Sequence, residues 1–232
     1  MNRILLKISG EALAGQEGVA VDPGVADALA SQIAEVHQRG VEIGIVVGGG
    51  NILRGALFAQ AGTTRPTADQ MGMLATVINA LTLSDALERQ GVETRVMTAV
   101  EMNQVAEPFI MRRAMRHLEK GRIILLAGGT GNPFFTTDTA AALRAMEIGA
   151  DVLIKATKVD GVYDKDPIHN PDAERFEELS YDKVLERGLN VMDATAITLC
   201  KENGVPILVF NLFEKGNLAR VLGGEQLGTW VR

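Results

Sequence analysis

The sequence predicts an α/β fold: a central, mostly parallel sheet in a three-layer α/β/α arrangement. Two observations carry this. Short β-branched runs alternate with helix-period segments along nearly the whole chain. Several of those runs stop abruptly at glycine clusters, as strands do when they feed a turn into a helix. No long polar linker, low-complexity tract or short repeat interrupts the alternation, so one domain spanning 1–232 is expected.

Arg3–Ile8 reads as a buried strand, stopped at Ser9-Gly10, and Gly15–Pro23 as a glycine-rich loop. Asp22-Pro23 then forms a helix start, a capping side chain followed by proline in the first turn. Val25, Leu29, Ile33 and Val36 fall on one helical face, predicting a helix over Pro23–Arg39 closed by Gly40. Val41–Val47 is a strand ending at Gly48-Gly49-Gly50-Asn51. Leu74, Ile78 and Leu81 mark a long helix that begins about Met71 and ends near Gly91. A strand at Val92–Met97, a helix at Glu107–Lys120 and a strand at Arg122–Ala127 follow. The last runs straight into Gly128-Gly129-Thr130-Gly131-Asn132-Pro133. Thr137–Gly149 reads as a helix and Asp151–Ala156 as a strand; Thr157–Pro171, with its Asp-Gly and Asp-Pro turn signals, reads as a hairpin or ordered loop. Helices at Ser180–Glu186 and Asp193–Glu202 and strands at Pro206–Phe210 and Leu227–Val231 complete the chain.

Composition narrows the chemistry. The 232 residues are 47% hydrophobic and carry a formal charge of -6, which speaks against disorder and against a general nucleic-acid backbone binder. No apolar run has the length of a membrane span, and the stretch before Lys7 is too short for a secretory signal, so a cytoplasmic location is expected. Cys200 is the one cysteine, expected as a buried structural thiol, and the pattern suits a reducing compartment. His37, His117 and His169 are scattered through helical or polar surface contexts and form no metal pattern. There is no Gly-x-Ser-x-Gly nucleophile elbow and no P-loop.

Three glycine-bearing loops after buried strands do point somewhere. Glycine lets backbone N–H groups approach an anion, and the helix that follows adds partial positive charge. Gly48-Gly49-Gly50 alone is equally a tight strand-to-helix turn, but three such loops on one sheet edge favour phosphate binding. Lys7 ends an apolar strand, where it either snorkels to solvent or reaches a phosphoryl group. Lys155 ends another strand the same way, and Arg54 follows the second loop. Asp138 is either an ordinary acid in a first helical turn or the group that organises these lysines. Positioned cations and backbone N–H groups suit phosphoryl transfer, which needs no enzyme nucleophile.

The motifs Lys7-Ile8-Ser9-Gly10-Glu11-Ala12-Leu13, Gly48-Gly49-Gly50-Asn51, the run Gly128–Asp138 and Lys155-Ala156-Thr157-Lys158-Val159-Asp160-Gly161-Val162-Tyr163 together resemble the bacterial uridylate kinases of the amino-acid kinase superfamily. The resemblance covers essentially the whole chain and implies the carbamate kinase-like fold of that superfamily. It implies transfer from ATP to UMP with Mg²⁺, no protein ligand to the metal being assigned. It places Lys7 and Asp138 nearest the chemistry. Lys7, Ile8, Ser9, Gly10, Gly50, Arg54, Thr157, Tyr163 and Asp166 would contact ATP. Gly49, Asp69, Thr130, Gly131, Asn132, Pro133, Phe134, Phe135, Thr136 and Thr137 would contact UMP, with Asp69 on the ribose and Thr137 helping to read the uracil edge. The stretch Gly15, Gln16, Glu17, Gly18, Val19 and Ala20 aligns with a GTP-activation region. A homohexamer, GTP activation and UTP inhibition are further implications; nucleic acid and membrane are not expected as partners. Two rivals stay open: an amino-acid acceptor within the same superfamily, and a nucleotide-binding regulatory protein without catalysis.

Overall fold

The computed structural model describes residues 1–16, 18–53, 62–167 and 169–232. Among them, nine strands form one sheet: β1 (Arg3–Ile8), β2 (Glu42–Val47), β3 (Thr94–Thr98), β4 (Glu107–Pro108), β5 (Ile123–Ala127), β6 (Val152–Thr157), β7 (Glu178–Leu179), β8 (Ile207–Asn211) and β9 (Thr229–Val231). Their order is β4-β3-β5-β2-β1-β6-β8-β9-β7. Every neighbouring pair is parallel except β8 with β9. The strands pass through the middle of the protein and are apolar on both faces, as a covered parallel sheet requires.

Side-chain alternation sorts the core into two layers. Ile4, Leu6 and Ile8 of β1 face a cluster with α1 (Pro23–His37), α2 (Arg65–Arg89) and α7 (Asn217–Leu222). Leu5 faces the other cluster, with α3 (Met111–Glu119), α4 (Thr137–Glu147), α5 (Tyr181–Arg187) and α6 (Ala194–Asn203). The same parity sets Leu153 of β6 on the α4 side. A residue two positions on from Leu5 or Leu153 therefore emerges beneath the start of α4, and those residues are Lys7 and Lys155.

Local chemistry explains the element ends. Asp22 caps α1 by accepting from Gly24 and Val25 N–H (2.8 and 3.1 Å), with Pro23 in the first turn. Gly40 lies at φ +86°, a left-handed conformation that suits glycine just past a helix. Cys200 is fully buried, and burial pushes its thiol up to about 12, so it is inert.

Four expectations need correction. The long helix begins at Arg65, not Met71, because Thr64 caps it and Pro66 fits its first turn; Asp69 therefore lies on the helix. The apolar residues that marked it, Leu74, Ile78 and Leu81, form its exposed face, while Ala68, Ala75, Val77, Ala80 and Leu83 are buried. The segment 107–120 opens with an edge strand at Glu107–Pro108, since proline there costs the ladder nothing, and only then turns helical. His117 is buried, not at the surface, between Glu107 (3.2 Å) and Arg122 (3.1 Å). Strand β7 and helix α7 carried too few periodic residues to be anticipated.

Candidate active site

Parallel strands deliver their carboxyl ends to one edge, and the loops described above meet there. Lys7 and Lys155 occupy paired positions on β1 and β6. The α4 helix begins above them, with Thr136 as its cap, accepting from Asp138 and Thr139 N–H (3.1 and 3.2 Å). This brings Asp138 down onto both lysines. Its Oδ1 lies 2.5 Å from Lys7 Nζ and its Oδ2 lies 3.2 Å from Lys155 Nζ. Lys155 also donates to the Val191 carbonyl.

The three charges are mostly removed from water, with side-chain exposures of 11% for Lys7, 16% for Asp138 and 18% for Lys155. Burial pushes the Asp138 carboxyl up, but the adjacent Lys7 and Lys155 ammonium groups overcome it and hold the group below its ordinary value. Lys155 moves down: burial and the positive charge of Lys7 outweigh the help of Asp138 and Asp193. The cluster is one carboxylate shared by two ammonium groups, a net positive centre at the mouth of the sheet.

Around it lie the glycine loops. Gly10 follows β1, where an added Cβ would stand 2.6 Å from the Gly48 carbonyl oxygen, so only glycine fits. Gly49 is equally confined, its Cβ direction blocked by Ala75 Cβ and Gly72 O, both at 2.8 Å, whereas Gly50 faces open space. Ser9 accepts from Glu11 N–H (3.3 Å) and starts the short 3-10 turn Gly10–Leu13. Arg54 lies outside the described residues.

A cleft of about 200 Å³ opens beside the cluster, between α2 and the loop after β5. Gly49, Gly50, Asp69, Thr130, Asn132, Phe135, Thr136 and Thr137 line it. Asp69 pairs with Arg65 (2.8 Å) and its Oδ2 accepts from Phe134 N–H (2.7 Å). Phe134 is the one non-glycine residue with positive φ (75°) among the described residues; it is 65% exposed, with the Arg65 guanidinium 5.9 Å from its ring centre. Gly131, Pro133 and Phe134 shape the backbone of this loop and do not line the cleft.

On the other side of Lys155, a second cleft of about 470 Å³ is lined by Thr157, Tyr163 and Asp166. Tyr163 donates to Asp160 Oδ1 (2.5 Å), and the His169 ring nitrogen lies 2.7 Å from Asp166 Oδ2. A larger concavity of about 540 Å³ lies beyond Tyr163, away from the lysine pair. Its arginines are already engaged, Arg175 near Asp160 and Arg220 with Glu225. Gly15, Gln16, Gly18, Val19 and Ala20 form a loop held by Gly15 N–H to Val19 O (2.9 Å) and by Asn51 Nδ2 to Ala20 O (2.6 Å); Glu17 is outside the described residues.

The amino acid kinase family model matches residues 2–211, a span that takes in the lysine pair, all three glycine loops and α4. The chain belongs to the amino acid kinase family. Among solved members of similar build, a UMP kinase from Bacillus anthracis is 40% identical with a TM-score of 0.97, covering 100% of this chain and 96% of that one. A UMP kinase from Ureaplasma parvum is 37% identical with a TM-score of 0.93, covering 99% of this chain and 97% of that one. A uridylate kinase from Archaeoglobus fulgidus is 28% identical with a TM-score of 0.76, covering 99% of both. The nine-stranded, mostly parallel sheet between helical layers is this amino acid kinase's fold.

Two polar residues of this kinase were not singled out from sequence. Thr76 and Asn79 are buried on α2 and bond to the glycine loops. The available signal was polar side chains on the apolar face of a helix, three residues apart.

Proposed function

We propose that this kinase transfers the γ-phosphoryl group of ATP to UMP, giving ADP and UDP. The observation that carries the reading is Asp138 holding Lys7 and Lys155 together at the carboxyl ends of adjacent strands. Two ammonium groups at one point suit a group whose negative charge spreads over three equatorial oxygens in the transition state. A phosphate-oxygen nucleophile suits the cluster as well. The second pKa of a phosphate monoester is about 6, so UMP is largely dianionic at neutral pH and needs no general base. Asp138, ion-paired on both oxygens, is accordingly assigned to holding the lysines rather than to taking a proton. The UMP phosphate oxygen bonds to the γ-phosphorus as the bond to the bridging oxygen breaks, and ADP leaves.

The small cleft is assigned to UMP. Asp69 offers acceptor oxygens for ribose hydroxyls, and Thr137 stands at the cleft wall with its hydroxyl free of the capping role, which Thr136 performs. Thr130, Asn132, Phe135 and Thr136, with Gly49, complete the acceptor side at the cleft, and Gly131, Pro133 and Phe134 are assigned to it through the loop backbone they shape. The ATP side is assigned to Lys7, Ile8, Ser9, Gly10 and Gly50, with Arg54, and to Thr157, Tyr163 and Asp166 in the second cleft. Among the described residues no three His, Cys, Asp or Glu side chains gather as a metal cage. A Mg²⁺ would arrive with the nucleotide and would supply neutralisation of phosphate charge.

The wider reading follows the family resemblance: pyrimidine nucleotide biosynthesis, GTP activation through the segment 15–20, UTP inhibition, a homohexamer and a cytoplasmic location. The apolar stripe Leu74, Ile78 and Leu81, exposed by 51%, 50% and 37%, supports assembly through α2. No described helix is long and apolar enough to cross a membrane. A coupled assay of ADP formation tests the central claim, with UMP, acetylglutamate and aspartate offered in parallel. Turnover with UMP is expected; turnover only with an amino acid, or none at all, overturns it.

A further inference from the structure

Helix α2 touches both phosphate-side loops through two buried polar residues one turn apart. Thr76 is 5% exposed and Asn79 fully buried. The Thr76 hydroxyl donates to the Met73 carbonyl (2.6 Å) and accepts from Gly128 N–H (2.8 Å). It thereby fixes the first residue of the loop that runs to Thr137. Asn79 Nδ2 donates to the Gly48 carbonyl (2.7 Å) and to Asn51 Oδ1 (2.7 Å), while Asn51 Nδ2 returns a bond to Asn79 Oδ1 (3.1 Å). It thereby fixes the loop from Gly48 to Asn51. That loop in turn packs against Gly10, which leaves no room for a Cβ beside the Gly48 carbonyl.

The donors of both side chains are spent on protein. Asn79 lies behind the glycine loop and lines none of the clefts described above, whereas Thr76 borders the small cleft with its hydroxyl already engaged by the Met73 carbonyl and Gly128 N–H. What they share is a frame. The loop after β2 and the loop after β5 arise from neighbouring strands, and each is tied to the same rigid helix. Gly128 is held in a left-handed conformation (φ 77°) with no space for a side chain, since Thr98 Oγ1 would lie 2.7 Å from its Cβ. The anchor is therefore stiff on the loop side as well.

Taking the assignment above as its basis, we propose that Thr76 and Asn79 are a pair of positioning residues. They set the position of the Gly48–Asn51 loop, whose Gly49 is assigned to UMP and Gly50 to ATP, relative to the acceptor-side loop at Gly128. In-line transfer depends steeply on that relative position, and a displacement of about 1 Å costs roughly 100-fold in rate. Nucleotide affinity, spread over many contacts, depends on it less. Loss of either anchor lowers kcat and spares both KM values.

The test compares Thr76→Val, Asn79→Leu and their double variant with Thr76→Ser, which keeps the hydroxyl. Ser84→Ala serves as the control: it removes another buried hydroxyl from α2, one paired with Thr94 (2.5 Å) and remote from the loops. The expected result is a kcat at least about tenfold lower for Thr76→Val and Asn79→Leu, with the KM for ATP and for UMP within about threefold of normal. Thr76→Ser is expected within about twofold of wild type. The double variant is expected to lose less than the product of the single losses, because one slipped loop already destroys the spacing. Ser84→Ala is expected to lower Tm alone. If the bulkier variants do not fold, Thr76→Ala and Asn79→Ser remove the same bonds with less steric load and carry the same expectations. The proposal is overturned if both anchors behave like Ser84→Ala, if the losses appear in KM, or if the double loss is fully multiplicative. A wild-type enzyme that does not phosphorylate UMP overturns the assignment of function instead.

Discussion

Lys7 and Lys155 are cross-strand partners, paired in register on two parallel strands, and Asp138 sits between their ammonium groups. Like charges at such positions repel. The pairing persists because one carboxylate serves both. The arrangement stores a positive centre, which on the proposed reading an incoming polyphosphate would complete.

The first prediction follows from that centre. Lys7→Ala is expected to lower kcat and kcat/KM together, with little effect on ATP binding, since its charge is realised most fully in the transition state. Loss of such a group typically costs ~3 kcal/mol. Steady-state kinetics with calorimetric ATP binding checks this; retention of more than about a tenth of normal kcat contradicts it.

Titration gives the second. Because the folded Lys155 has a lowered pKa, its charge is lost on the alkaline side before an ordinary lysine, whose value is 10.5, would titrate. The kcat/KM for ATP, which reports the free enzyme, should therefore fall below that pH, and Lys155→Arg should move the fall upward. The opposite sign holds for Asp138 as a carboxylate. Its folded pKa lies below 3.8, so its stabilising contribution is complete above that pH and is lost as pH falls through the lower folded value. Asp138→Asn should flatten that acid limb in a melting-temperature series.

On the acceptor side, Asp69→Asn is expected to raise the KM for UMP while leaving that for ATP within about twofold, because the amide keeps one acceptor but loses the charge that favours ribose hydroxyls. Equal changes in the two constants would point away from a ribose contact. The oligomeric state should be measured alongside, since Asp69 shares α2 with the exposed apolar stripe.

The neighbouring threonines separate helix capping from base reading. Thr136→Val removes the cap of α4 and should cost ~1 kcal/mol of stability. Thr137→Val should spare stability and lower the UMP/CMP ratio of kcat/KM, because a group that pairs with uracil meets the reversed edge of cytosine unpaired. A ratio left unchanged by Thr137→Val removes Thr137 from the base-reading role.

Much of this architecture was legible because parallel sheets announce themselves. Strands such as Ile123–Ala127 are buried on both faces, so their sequences are unbroken aliphatic runs. The lysines were legible for the same reason, as charges where apolar residues belong. What escaped was the helix α2 start and its polar anchors. Leu74, Ile78 and Leu81 supplied the periodic signal but lie on the exposed face, while the buried face mixes alanines and the polar Thr76, Asn79 and Ser84 with Met73, Val77, Leu83 and Leu87. With large apolar residues on both faces and small or polar ones on the buried face, the pattern gives little contrast between the inner and outer sides of this helix. Nor could a sequence show which of Thr136 and Thr137 caps α4, because one residue's shift in the cap exchanges their roles.

Phe134 carries a cost that bears on any effort to make this enzyme sturdier. A phenylalanine held at φ 75° gives up on the order of 1–2 kcal/mol that a glycine would not. The Asp69 carboxylate holds it there from across the cleft. Phe134→Gly is a natural choice for an engineer seeking a higher melting temperature, and it should deliver one if the relief of strain exceeds the added freedom of the unfolded chain. The variant keeps the backbone N–H that Asp69 accepts from but loses the ring beside Arg65 and lets the loop visit other conformations, so that any gain in heat tolerance should arrive with a lower kcat/KM for UMP. Robustness and throughput are set against each other at this single peptide unit.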